Sequence, residues 1–183
     1  MTSKQLGACR VKYYDGGVKL KSTSDPSVVP LTADEEDFLR AFMRTMVAVP
    51  RAFDADLLRE QGMSVSEYAA LMHLSEAPDR RLRMSDLAGA SSLSLSGMTR
   101  IVARLEKQDL VRRERCLTDA RGWLAVLTDS GWDRLRTAWP THVASVRRHM
   151  IDHLSGLDLE PLTTAFRRFA ADVDEAEPTE RST

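Results

Sequence analysis

Two cysteines in 183 residues, Cys9 and Cys116, cannot build a disulfide framework, and neither stands in a Cys-x-x-Cys pair or a zinc-ligand cluster. No stretch approaches the roughly eighteen consecutive apolar residues of a membrane span, and the amino-terminal segment lacks the apolar centre of a signal peptide. A cytoplasmic protein with no membrane attachment is therefore expected. There is no glycine-rich phosphate cradle, and no Ser/His/acid set carries a supporting local signature, so neither an enzyme nor a cofactor is expected. Net charge is lacking too: the formal value is −1, which by itself argues against a nucleic-acid partner.

The distribution of charge reverses that argument. Between Arg80 and Arg121 there are ten basic residues (80, 81, 83, 100, 104, 107, 112, 113, 115, 121) and five acidic ones (86, 106, 109, 114, 119). The acidic excess sits elsewhere, in Asp34-Glu35-Glu36-Asp37 and after Ala171. A chain polarised in this way offers one basic face to phosphates.

That basic window overlaps the most structured-looking stretch, Arg83 to Gly131. Ser85 reads as an N-cap, with Asp86 in the first turn and Leu87 and Ala88 inward, and Gly89 with Ala90-Ser91-Ser92 should end that short helix. Ser94 caps the next helix. There Met98, Ile101, Val102 and Leu105 form a buried stripe, leaving Ser96, Thr99, Arg100, Ala103, Arg104 and Lys107 on an outer face without a large apolar residue. Small hydroxyls followed by arginines suit a DNA major groove, though a plain solvated face reads the same way from this helix alone. The continuation favours DNA: Leu110-Val111 with Arg112-Arg113-Glu114-Arg115, then turn residues, then Trp123-Leu124-Ala125-Val126-Leu127, describe a hairpin. The predicted fold class is mostly α with a small β-wing, a winged helix-turn-helix flanked by long helices.

Arg104-Leu105-Glu106-Lys107 with Leu110, the pair Asp119-x-Arg121, and Leu127-Thr128 with Gly131 stand in an order and spacing that resembles the MarR family of winged-helix transcriptional regulators. The resemblance implies a homodimer that reads a palindromic site on double-stranded DNA. It implies that Arg121 enters the minor groove, held by Asp119, which agrees with the strong negative potential of a narrow groove. Ser96, Thr99, Arg100 and Arg104 are the expected contacts to bases or phosphates. Ser94 would cap the helix toward a phosphate, and Arg80 and Arg81 would touch the backbone if they face the duplex.

The surrounding chain divides into three parts. Residues 1–30 form a basic extension in which Val11–Leu20 reads as a small hairpin turning at Asp15-Gly16-Gly17. Residues 31–175 hold the MarR-type domain, with the winged helix-turn-helix at about 64–131 and dimerisation helices at about 32–61 and 128–175, and 176–183 is an acidic tail. Capping boxes at Thr32-Ala33-Asp34-Glu35, with Leu31 as staple, and at Ser64-Val65-Ser66-Glu67 open two helices. The first should kink at Pro50 and end near Gly62. The second should point Val65, Tyr68, Met72 and Leu74 inward and stop at Ala77-Pro78, with His73 a packed histidine. Thr128 caps a later helix whose stripe is Trp132, Leu135, Trp139, Val143, Val146, Met150 and Leu154, interrupted by Pro140 and ended by Gly156. A final helix carries Leu159, Leu162, Phe166, Phe169 and Val173. Such stripes need a second copy to cover them.

The resemblance further implies a repressor, less often an activator, answering to a small amphipathic or phenolic effector. Met46, Tyr68, Met72 and the start of the helix after Thr128 are candidate walls for its crevice. Three alternatives stay open. His142, His149 and His153 have helical spacing that suits a shared metal, although histidines also favour a helix C-terminus. Cys116 between basic residues suits a redox sensor, whereas no cysteine lies in the first long helix, where some relatives sense oxidants. That helix also lacks the tryptophan of the urate-responsive branch. A winged helix used only for protein interaction would show a weakly basic face.

Overall fold

The computed structural model describes the backbone of residues 29–116 and 122–176, with side chains as far as residue 171. The hairpin expected at 11–20, the wing residues Asp119 and Arg121, the side chain of Val173 and the tail from 177 lie outside the described residues. The chain divides into two compact units, 1–40 and 41–183, the boundary falling inside the first helix, α1 (Ala33–Gln61). In the first unit the Thr32 N–H donates to Glu35 Oε2 at 2.7 Å and the Glu35 N–H donates to Thr32 Oγ1 at 3.3 Å, the expected capping box.

In the second unit α1 continues through Pro50 to Gln61, and Gly62 turns the chain at φ +60°. Ser64 then opens α2 (Val65–Glu76) with a complete capping box. α2 is the centre of this unit: Tyr68, Ala70, Leu71 and Leu74 are all buried, so the helix is covered on more sides than the stripe of Val65, Tyr68, Met72 and Leu74 suggests. The elements that cover it are α3 (Met84–Ala90), α4 (Leu95–Lys107), α5 (Asp129–His149) and a three-stranded antiparallel sheet. The sheet comprises β1 (Arg81–Arg83), β2 (Val111–Arg115) and β3 (Trp123–Leu127) in the order β1-β3-β2. Leu82 and Arg113 both lie opposite Ala125, one on each side of β3. The hairpin β2–β3 was expected; β1 was not, because three residues are too few to show a period of two.

β1 also changes the start of α3. Arg83 pairs with Leu124 and holds extended backbone at φ −63°, ψ 148°, so it is the N-cap by its backbone, its side chain not capping the helix. Ser85 is therefore not the cap; it lies inside the first turn, its hydroxyl bonded to Asp86. Gly89 stays helical, α3 ends at Ala90, and the chain leaves it through a left-handed residue, Ser92 at φ +51°. The Leu93 N–H reaches the Ala88 carbonyl and the Ser92 N–H the Gly89 carbonyl, both at 2.9 Å. The same closure ends α4, with Asp109 at φ +57° and the Leu110 N–H on the Leu105 carbonyl at 3.0 Å.

α5 departs most from the sequence reading. It runs without interruption through Pro140 and stops at His149, before Gly156; a short 3-10 turn, Ile151–Leu154, follows. Its packed face is Gly131, Leu135, Ala138 and Ser145, with His142 and His149 half-buried, while Trp139 and Met150 of the expected stripe are exposed. The reason is polar. Asp56 of α1 is buried and accepts from Ser145 Oγ at 2.8 Å, Arg59 at 2.6 Å, His149 Nε2 at 2.9 Å and Arg148 at 3.3 Å. The bond from Ser145, then that from Arg59, holds its carboxyl far below the ordinary carboxylate range against the opposing effect of burial. Arg134 and Thr141 of α5 add bonds to Gln61. α6 (Leu159–Ala176) completes the unit, with Phe166 stacked on Phe42 of α1 at 5.8 Å between ring centroids. Among the described residues no helix is long and apolar enough to cross a membrane.

The end of α4 is fastened to the start of α5. Thr128 caps α5 by accepting from the Gly131 N–H at 2.9 Å, and its hydroxyl donates to the Asp109 carbonyl at 2.7 Å. A Cβ at Gly131 would stand 2.0 Å from the Leu110 carbonyl oxygen and 2.7 Å from Leu127 Cδ1. Gly131→Ala is accordingly expected to cost about 3 kcal/mol in urea melts. Gly89→Ala, whose Cβ meets nothing within 4 Å inside a helix, should be neutral or stabilising; equal effects at the two positions would contradict the close approach.

Candidate nucleic-acid interface

α4 presents the surface that the sequence assigns to DNA. Ser94 is its N-cap, the hydroxyl accepting from the Gly97 N–H at 3.1 Å. Met98, Ile101, Val102 and Leu105 are buried against the core, so Ser96, Thr99, Arg100 and Lys107 are left exposed and Ala103 is half-buried. Two details were not expected. The first-turn hydroxyls are engaged within the helix: Ser94 Oγ and Ser96 Oγ are 3.2 Å apart, and Thr99 Oγ1 donates to the Leu95 carbonyl at 2.8 Å. Leu95 itself, passed over in the sequence reading, is 54% exposed, so the accessible face does hold a large apolar residue.

The basic window is less bare than its composition suggests. Arg104 Nε donates to Glu67 Oε1 at 2.8 Å, while the other oxygen of that carboxylate takes the Ser64 N–H and hydroxyl, each at 2.9 Å. Burial would raise the Glu67 pKa, but the bonds from Arg104 and Ser64 outweigh it and hold the carboxyl below its ordinary value. One glutamate thus caps α2 and anchors α4. Arg113 is held by Glu106 at 2.6 and 2.9 Å, which lowers the Glu106 pKa. Arg112 meets Glu114 at 2.7 Å, with Arg81 at 3.9 Å on the same carboxylate. Arg80 bonds Asp129 at 3.1 Å and lies over Trp132, 4.9 Å from the ring centroid, so Arg80 and Arg81 both have partners within the protein while staying partly exposed. Arg115 lies over Trp123 at 5.3 Å. Arg100 and Lys107 have no carboxylate partner among the described residues.

Two concavities border this head. A groove of about 430 Å³ runs between the helices and the sheet, lined by Arg83, Met84, Ser85, Leu95, Thr99, Arg113, Gly122 and Trp123. A cleft of about 300 Å³ lies between α2 and α5, lined by Tyr68, Met72, Ser75, Glu76, Trp132, Leu135, Arg136 and Trp139. Tyr68, Met72 and the start of the helix after Thr128, here Trp132, were expected there; Met46 does not line it, and Trp139 had been read only as part of a packing seam. Burial pushes the Tyr68 phenol up to about 12, and its hydroxyl, like His142 Nδ1, has no hydrogen-bond partner among the described residues. The two rings are 4.4 Å apart, and burial lowers the His142 pKa.

The histidines are not brought together. His149 ends α5 on Asp56, and His153 lies in the following 3-10 turn rather than one helical turn along the same helix. Among the described residues no group of three or more His, Cys, Asp or Glu could hold a metal ion. Cys116 is half-buried at the end of β2, its N–H on the Gly122 carbonyl at 3.0 Å.

Comparison with known proteins decides the family. The model of the MarR family matches residues 61–122. The HTH-type transcriptional regulator MhqR of Bacillus subtilis is 30% identical over 112 residues, covering 61% of this chain and 74% of MhqR. AbsC, a MarR family transcriptional regulator from Streptomyces coelicolor, is 38% identical, with a TM-score of 0.74 over 81% of this chain and 99% of AbsC. The chain belongs to the MarR family. Sco3205, a MarR family regulator of the same organism solved in complex with DNA, is 35% identical, with a TM-score of 0.73 over 85% of this chain and 96% of Sco3205. As a MarR family member the chain is a DNA-binding, non-enzymatic transcriptional regulator.

Within this MarR-type head, the Arg104–Glu67 pair should register as an energetic coupling. A double-mutant cycle of Glu67→Ala and Arg104→Ala in urea is expected to give about 1 kcal/mol, the pair being half open to solvent; additive effects would show that Glu67 does not anchor α4.

Proposed function

We infer that this MarR family protein is a homodimeric repressor of a palindromic operator, released by a small amphipathic or phenolic effector. The observation that carries the reading is the exposed front of α4, where Arg100 stands uncommitted beside engaged hydroxyls and a basic hairpin. An arginine so placed suits bidentate contact with guanine in the major groove. Ser96 and Thr99 approach closely, Ser94 sets the helix end, and the remaining nitrogens of Arg104 reach a phosphate while Nε stays on Glu67. Arg121 is assigned the minor groove, and Asp119 its support, on the family resemblance.

Dimerisation is supported by exposed apolar side chains on both terminal helices: Met43, Met46 and Val47 on α1, Phe166 and Phe169 on α6. A second copy covering them places two α4 helices about 34 Å apart, one duplex turn. The effector reading is supported by the α2–α5 cleft, whose tryptophans suit an aromatic ring, whose Arg136 suits an acid, and whose Tyr68 hydroxyl lacks a partner among the described residues. A molecule there acts only if it binds the DNA-competent and incompetent spacings of the two heads unequally. The cytoplasm is the compartment that fits this role.

The test is selection of bound fragments from genomic DNA, followed by titration of the selected duplex. Palindromic fragments and a dimer at micromolar concentration are expected. Arg100→Ala should weaken binding at least tenfold with an unchanged melting temperature. A monomer, or equal affinity for selected and random duplexes, would overturn the reading.

A further inference from the structure

We propose that Leu95 is a specificity-determining residue that reads the 5-methyl group of thymine, and that the first turn of α4 recognises DNA mainly through apolar contact. The proposal rests on the DNA-reading role of α4 and names what its leading end reads.

Leu95 is the first residue of α4, at the end of a recognition helix that meets base edges. It is 54% exposed, on the same side of the helix as Thr99 and bordering the groove that faces Trp123. Ordinarily a hydroxyl-rich first turn would suggest hydrogen bonds to bases. Here Ser94 Oγ already accepts from the Gly97 N–H and lies 3.2 Å from Ser96 Oγ, and the Thr99 proton is directed to the Leu95 carbonyl. With the Thr99 hydroxyl turned onto the backbone, its methyl group and the exposed Leu95 side chain one helical turn away make an apolar pair beside the mutually bonded Ser94 and Ser96 hydroxyls. The major-groove feature that matches such a surface is the thymine methyl, which no other base of DNA carries. Arg100 lies next along the helix and supplies the polar contact that the first turn withholds.

The experiment replaces each thymine of the selected operator with deoxyuridine, which removes the methyl and leaves every hydrogen-bonding group. For the full-length protein, one symmetry-related pair of thymines is expected to be sensitive: about fourfold loss of affinity per half-site, about fifteenfold for both, the weight of one methyl group each. Leu95→Ala should bind the thymine operator that much more weakly and be indifferent to deoxyuridine there, with an unchanged melting temperature. Thr99→Ser, which keeps the hydroxyl and loses the methyl, should lower the same sensitivity in part. Wild-type indifference to deoxyuridine at every position, alongside a preserved preference for the selected duplex, overturns the methyl contact and leaves the DNA-binding reading intact. Equal sensitivity in wild type and Leu95→Ala overturns it as well. A protein that selects no sequence overturns both.

Discussion

Carboxylates hold most of the arginines of the winged-helix head, and that bracing decides which basic side chains stand uncommitted on its surface. Glu67 comes from α2, Asp129 from α5, Glu106 from α4 itself and Glu114 from β2. Two of these acids lie outside the basic window, so counting charges within it overstates the bare positive face. The gain is rigidity. α4 is tied to α2 by Arg104 and to β2 by Arg113, so helix and hairpin are presented as a unit, with Arg100 and Lys107 projecting from it.

The same unit is joined to α5 at one polar hinge point. Thr128 bonds both the turn after α4 and the first turn of α5, and Gly131 lets the helix come within contact of the Leu110 carbonyl. Farther along α5, Asp56 gathers Ser145, Arg148 and His149. Short, directional bonds therefore join α5 to the end of α4 at its start and to α1 near its finish. The α2–α5 cleft lies between these two fastenings.

Much of this was legible in the residues, because the local rules are strong where a helix begins. Thr32, Ser64, Ser94 and Thr128 all cap as their neighbours imply, and the stripe of α4 is buried as its period requires. Ser85 misled because a strand too short to recognise, β1, delivers the chain straight into α3. The packed face of α5 was hidden for a different reason: it is built on serine, alanine and histidine around Asp56, so hydrophobic periodicity pointed to Trp139 and Met150 instead. Pairings such as Arg104 with Glu67 span a separation in sequence that no local pattern reports. Leu95 was missed because it sits at the margin of the buried stripe, where a leucine reads as core. The family resemblance supplied what physics alone left even, namely that a polar helix face reads DNA.

If internal pairing sets the number of cations offered to DNA, the salt dependence of operator binding measures it directly. Arg100, Lys107 and Arg115 lack carboxylate partners among the described residues, and the resemblance adds Arg121, giving about four cations per head that are not neutralised within the protein and can displace counterions from the duplex. For two heads, a plot of log Kobs against log salt concentration should have a slope of about −7. A slope approaching −18, as if all ten basic residues of the window in each head released counterions, would contradict the account.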